Sequence, residues 1–135
     1  MTKNILITYI VVTLAFLIID MIWLQGLMKK YYANSLSNFI QENPNLIAAL
    51  IFYLLYPVGI LVFSVIPGVD NDTINKTLTL GFFLGVIAYG TYDLTNLAVL
   101  KNWPVNIVII DILWGGVVTM LSALVGDIVL RKLSS

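Results

Sequence analysis

The chain is 135 residues long, 60% apolar and only 10% charged, with a mean hydropathy of +0.99. Soluble domains carry about 25% charged residues and need a polar stripe along each helix, whereas Ile5 to Ile19 offers only Thr8, Tyr9 and Thr13, so a soluble fold is excluded. Seven basic residues balance seven acidic ones, which excludes a nucleic-acid surface. The absence of cysteine and histidine removes disulfides, thiolate nucleophiles, imidazole bases and the usual zinc or haem ligands, and no cofactor is expected.

In chain order, the first apolar stretch covers about residues 5–25. Lys3 and the apolar run resemble a secretory signal, but Asp20-Met21-Ile22-Trp23 stands where a small-residue cleavage site belongs, so the stretch reads as an uncleaved span. It ends near Gly26 and the Lys29-Lys30-Tyr31-Tyr32 cluster, a composition suited to the headgroup boundary. Leu27, Tyr31, Leu36, Phe39 and Ile40 then recur at loosely helical spacing, which allows a short interfacial helix within an otherwise ordinary loop. Asn43-Pro44-Asn45 starts a second span, about 46–66, which Pro57 should kink and which Pro67-Gly68 should end. A polar loop leads to a third span, about 77–100. The corner Lys101-Asn102-Trp103-Pro104, with Trp103 as interfacial anchor, leads to a fourth, about 105–130, ending at Arg131-Lys132. The expected fold is an all-α membrane protein, a single transmembrane domain of four helices in an antiparallel up-down bundle. Lys3, Lys76, Arg131 and Lys132 on one side, against Lys29, Lys30 and Lys101 on the other, favour cytoplasmic termini.

Three spans carry an aspartate: Asp20, Asp93 and Asp111. Asp20 precedes Lys29 by nine residues, Asp93 precedes Lys101 by eight, and Asp111 follows Lys101 by ten. With about 1.5 Å rise per residue, all three lie roughly 12–15 Å below one membrane surface. A carboxylate at a helix centre costs about 2.5–3.5 kcal/mol on insertion scales, so the three should face one another or a wet cavity rather than lipid. Trp23, Tyr89, Tyr92, Asn96 and Trp114 share their helix faces, and Tyr53 and Tyr56 on the second span lie at similar depth. Gly81 and Gly85, with the stripe Gly115, Thr119, Ser122 and Gly126, suit close helix packing. Asp127, one turn before Arg131 near the opposite face, reads as half of a structural ion pair.

The blocks Tyr89-Gly90-Thr91-Tyr92-Asp93-Leu94-Thr95-Asn96, Lys101-x-Trp103-Pro104, Asp111-x-x-Trp114-Gly115, Asp20-x-x-Trp23-Leu24 and Phe52-Tyr53-x-x-Tyr56-x-x-Gly59 together resemble the bacterial membrane-protein family called domain of unknown function 2177. The resemblance covers nearly the whole chain and implies a four-span protein of the bacterial inner membrane. It carries no catalytic role.

Three functions fit the aspartate layer. It can bind a proton, a cation or a small polar or amphipathic ligand for transport or sensing, with Asp20, Trp23, Tyr53, Tyr56, Tyr89, Tyr92, Asp93, Asn96, Asp111 and Trp114 as ligand-binding candidates. Four helices make a narrow pathway, so transport would require a homodimer; alternatively, the layer can hold a bundle that acts as an accessory subunit or docks a membrane partner. It can serve a lipid-modifying enzyme, although no dense metal motif and no basic residue for a phosphate occur in the layer. The paired Asp-x-x-Trp motifs on the first and fourth spans suggest an inverted repeat, against which stands the single level of the aspartates.

Overall fold

The computed structural model describes all 135 residues as helices and short connections, without strands. Four helices are long and apolar enough to cross a membrane: α1 (Thr2–Leu27), α3 (Leu46–Asp70), α4 (Ile74–Val99) and α5 (Val105–Ser134). A short helix, α2 (Lys29–Ser35), follows the first span, as the spacing of its apolar residues allowed. The widest interface joins α4 to α5, with α1 packed on the other side of α5. Only the seam between helices is dry: Val12, Phe16, Ile60, Val65 and Val118 are fully buried, while outward residues such as Leu6, Ile51, Phe83 and Ile109 are exposed for lipid to cover.

Glycine sets the α4–α5 distance. A methyl group on Gly85 would stand 2.0 Å from the Gly115 carbonyl oxygen, and one on Gly115 would meet the Tyr89 ring at 2.2 Å. The small residues therefore pack helices, as their spacing indicated, and seat Tyr89 against the backbone of α5.

The second span departs from the sequence reading. Pro67-Gly68 does not end it; the helix runs on to Asp70. The turn from Leu61 to Val65 widens to a π-helix and ends just before Pro67, where a regular ladder would demand an N–H that proline lacks. Gly68 serves a close approach instead, since a Cβ there would overlap the Thr77 hydroxyl at 1.7 Å. Pro57 also sits within the helix, and the Tyr9 hydroxyl donates to the Leu54 carbonyl in the turn it disturbs, at 2.5 Å. At the α4–α5 corner Asn102 takes a left-handed conformation, φ 61°.

Candidate functional site

A second π-helical turn, Ile22–Leu27, closes α1 immediately after Asp20 and carries Trp23. Such widened turns re-aim the side chains they contain. Here the Trp23 ring lies flat on Trp114 of α5, centroids 4.2 Å apart and planes 4° from parallel. Because the two helices run in opposite directions, each indole reaches toward the other motif's aspartate. Trp114 Nε1 donates to Asp20 Oδ1 at 3.1 Å; Trp23 Nε1 donates to the Tyr32 hydroxyl at 3.0 Å, which in turn donates to Asp111 Oδ1 at 3.1 Å. This exchange has local two-fold character. It pairs the first span with the fourth, an order that duplication of two-helix halves does not produce.

Asp93 and Asp111 stand side by side, and Asp20 joins them only through the stacked indoles and Tyr32. Asp20 is buried and both its oxygens are occupied, one by Trp114 and the other by the Tyr53 hydroxyl at 2.6 Å. Asp111 is half-buried and holds Tyr32. Asp93 is 0% exposed, yet neither of its carboxyl oxygens meets a hydroxyl, amide, indole or cationic donor; the one polar group beside it is the Asp111 carboxyl group. Asp93 and Asp111 line one half-open cavity of about 240 Å³, walled also by Tyr32, Leu36, Tyr92 and Trp103. Trp103 Nε1 is the other buried side-chain nitrogen or oxygen without a donor or acceptor, so all such orphaned side-chain atoms belong to residues of this cavity. Orphans of this kind are rare in folded proteins and call for an explanation.

A second cavity, about 480 Å³, adjoins the first, sharing Leu24, Tyr92 and Asp111 with it. Its remaining wall is Phe52, Tyr56, Ala88 and Tyr89. Tyr56 is fixed by a 2.8 Å hydrogen bond to Thr119 and meets Tyr89 edge to face at 6.2 Å. Phe16 packs against Phe52, Tyr53 and Tyr56 behind this wall. No basic side chain lines either cavity.

Of the residues picked from sequence, Asp20, Trp23, Tyr53, Asp111 and Trp114 thus fall into one hydrogen-bonded and stacked cluster beside Asp93, while Tyr56, Tyr89 and Tyr92 line the second cavity. Asn96 lines neither cavity; its backbone carbonyl closes α4 by accepting from Leu100 N at 2.8 Å. Thr95 bonds to carbonyls of its own helix, those of Thr91 and Tyr92. Two contributors escaped the sequence reading. Tyr32 belongs to the short helix α2 and turns inward, and burial, with the charge of Asp111, pushes its phenol well above the usual tyrosine range. Trp103, expected as a lipid-interface anchor, is instead buried between Phe39 and Tyr92. A legible signal existed for the first: Tyr32, Leu36 and Ile40 stand four residues apart, and all three line the smaller cavity.

At the opposite end of the bundle Asp127 is also 0% exposed. It accepts from the Thr77 hydroxyl and from Arg131 Nε, each at 2.5 Å, and Arg131 continues to Asp72 at 2.6 Å and to the Gly68 carbonyl at 3.2 Å. The expected pairing of Asp127 with Arg131 is present, but within the bundle rather than at its surface.

Four apolar helices enclosing a layer of carboxyl, phenol and indole groups define a small integral membrane protein. The family model described as a predicted membrane protein, DUF2177, matches residues 5–128, and the chain belongs to that family. No curated protein and no solved structure matches the chain.

Proposed function

We propose that the cavity between Asp93 and Asp111 binds a cation or a proton inside the membrane, as the working step of a small transporter or sensor. The observation that carries this reading is the Asp93 carboxyl group, wholly buried with the Asp111 carboxyl group beside it and no hydroxyl, amide, indole or cationic donor on either oxygen. A carboxylate in that position is balanced only by a proton or by a cation that enters from outside the chain. The bundle-holding alternative accounts for Asp20 and Asp127, whose oxygens are all paired, but leaves Asp93 unexplained. An enzyme acting on a phosphate-bearing lipid is disfavoured by the lack of any basic side chain on the cavity walls.

The setting is a cytoplasmic-type membrane, because outer membranes are spanned by closed barrels rather than apolar helices. We read it as the bacterial inner membrane, with the termini on the cytoplasmic side where Lys3, Lys76, Arg131 and Lys132 lie.

A hydrophobic carbodiimide tests the reading, because it reacts with carboxyl groups in the membrane interior. In the purified chain it should label Asp93, and methylammonium or sodium should protect against labelling. Labelling confined to other carboxyl groups, or labelling of Asp93 that no cation slows, would leave the layer as structural glue.

A further inference from the structure

We propose that the ligand is an amphipathic amine bearing an oxygen beside its nitrogen, an amino alcohol in the simplest case. Its head would sit between Asp93 and Asp111 and its apolar body in the adjoining aromatic cavity. This rests on the cation-binding reading above and names the kind of cation.

Four observations lead there. First, the smaller cavity offers the carboxyl groups of Asp93 and Asp111, the phenols of Tyr32 and Tyr92 and the Trp103 indole among otherwise aliphatic walls. No three acidic side chains stand close enough together to hold a metal ion, whereas an ammonium group needs only a few acceptors and gains from nearby rings such as Tyr32, Tyr92 and Trp103. Second, the unpaired atoms are of both kinds: two acceptors on Asp93 and one donor on Trp103. An ammonium alone answers the first pair and leaves the indole N–H unmet; a neighbouring hydroxyl or ether oxygen answers it.

Third, sites for whole small molecules measure about 300–1,000 Å³, so a cavity of about 240 Å³ suits a head group rather than an entire ligand. The neighbouring space of about 480 Å³ falls within that range and is walled by aromatic and aliphatic groups. Asp111 stands at the junction as a wall of both. Fourth, no basic residue lines either cavity, which disfavours phospholipids as the source and leaves amines without a phosphate.

The experiment measures binding by intrinsic tryptophan fluorescence of the full chain in maltoside micelles. The probes are phenylethanolamine, phenylethylamine (no hydroxyl), methylamine (head only) and phenylethanol (no charge). Phenylethanolamine should bind about tenfold or more tighter than either methylamine or phenylethanol. Ala88→Phe, which fills the larger cavity and leaves the carboxyl groups in place, should remove that advantage and retain methylamine binding. Asp93→Asn should abolish amine binding. Methylamine binding as tightly as phenylethanolamine would overturn the amphipathic assignment while leaving the cation site standing. An unchanged preference in Ala88→Phe would overturn it too. Equal affinity for phenylethylamine would remove the oxygen, and Trp103 with it. If none of the three amines binds the folded wild type, the proposal fails, and protection of Asp93 from carbodiimide by sodium then separates that failure from failure of the cation site. Sphingosine added to the micelles identifies the source: tighter binding than phenylethanolamine points to a membrane-borne amine, weaker binding to a soluble one.

Discussion

Asp127, near the end of the bundle that carries the termini, is wholly buried, and each of its oxygens meets a donor, Thr77 on one side and Arg131 on the other. Asp93, at the opposite end, is equally buried and meets no hydroxyl, amide, indole or cationic donor, with only the Asp111 carboxyl group beside it. Insertion into a bilayer penalises both in the same way, so burial and charge alone do not separate a structural carboxylate from a binding one. The separating quantity is whether the chain supplies donors. Asp20 belongs with Asp127 by that measure, and Asp111, half-buried with Tyr32 on one oxygen, stands between the two classes.

The largest effect expected from this contrast is at the satisfied end. Asp127→Ala leaves the Thr77 hydroxyl without its partner in a dry seam, which alone costs about 1–3 kcal/mol, and it strips Arg131 of the buried member of its two carboxylates. Thermal unfolding in micelles should register a clear loss of stability. A variant as stable as the wild type would remove the distinction between a paired and an unpaired buried carboxylate on which the comparison is built.

A smaller effect, with a difference in sign, separates Asp20 from Asp93. Asparagine at position 20 sets an amide N–H₂ against the donors of Tyr53 or Trp114, so Asp20→Asn should lose about 0.5–1.5 kcal/mol. Asparagine at position 93 takes no donor of the chain away from a partner and relieves the crowding of two carboxyl groups, so Asp93→Asn should unfold at the same temperature as the wild type or higher. Melting curves of the two variants side by side decide it. Should Asp93→Asn prove the less stable of the pair, Asp93 is a structural group after all.

The four spans and the inward turn of Trp23 and Trp114 were readable in the sequence because membrane insertion imposes few solutions: apolar length, helical periodicity and the cost of a charge in lipid all point one way. What was not readable came from the connections. Pro67-Gly68 looked like a helix end because its composition breaks helices in water, whereas a widened turn and the approach of Thr77 keep it helical here. Trp103 beside Lys101 had the composition of an anchor at the lipid surface, and only the inward fold of residues 29–40 buries it. The difference between Asp20 and Asp93 was equally invisible, since both precede an aromatic-rich boundary and only coordinates tell which carboxyl group the donors reach.

The smallest effect lies at the intermediate case, where Tyr32 links Trp23 to Asp111. Tyr32→Phe removes one hydroxyl that both accepts and donates, and hydrogen bonds between membrane helices average about 0.6 kcal/mol, so the loss of stability should be modest. Its pH dependence is the sharper signature. Burial first, and then the charge of Asp111, raise the folded-state pKa of this phenol above its unfolded value, so its contribution is complete below about pH 10, where the unfolded chain's tyrosine is neutral. Above that, the unfolded chain ionises while the folded chain holds its proton, and the wild type's advantage over Tyr32→Phe should shrink as pH rises toward the folded-state value. A difference between the two proteins that stays constant through the alkaline range would mean that Tyr32 stands in water rather than against Asp111. The wall it forms between that carboxyl group and the membrane surface would then be open.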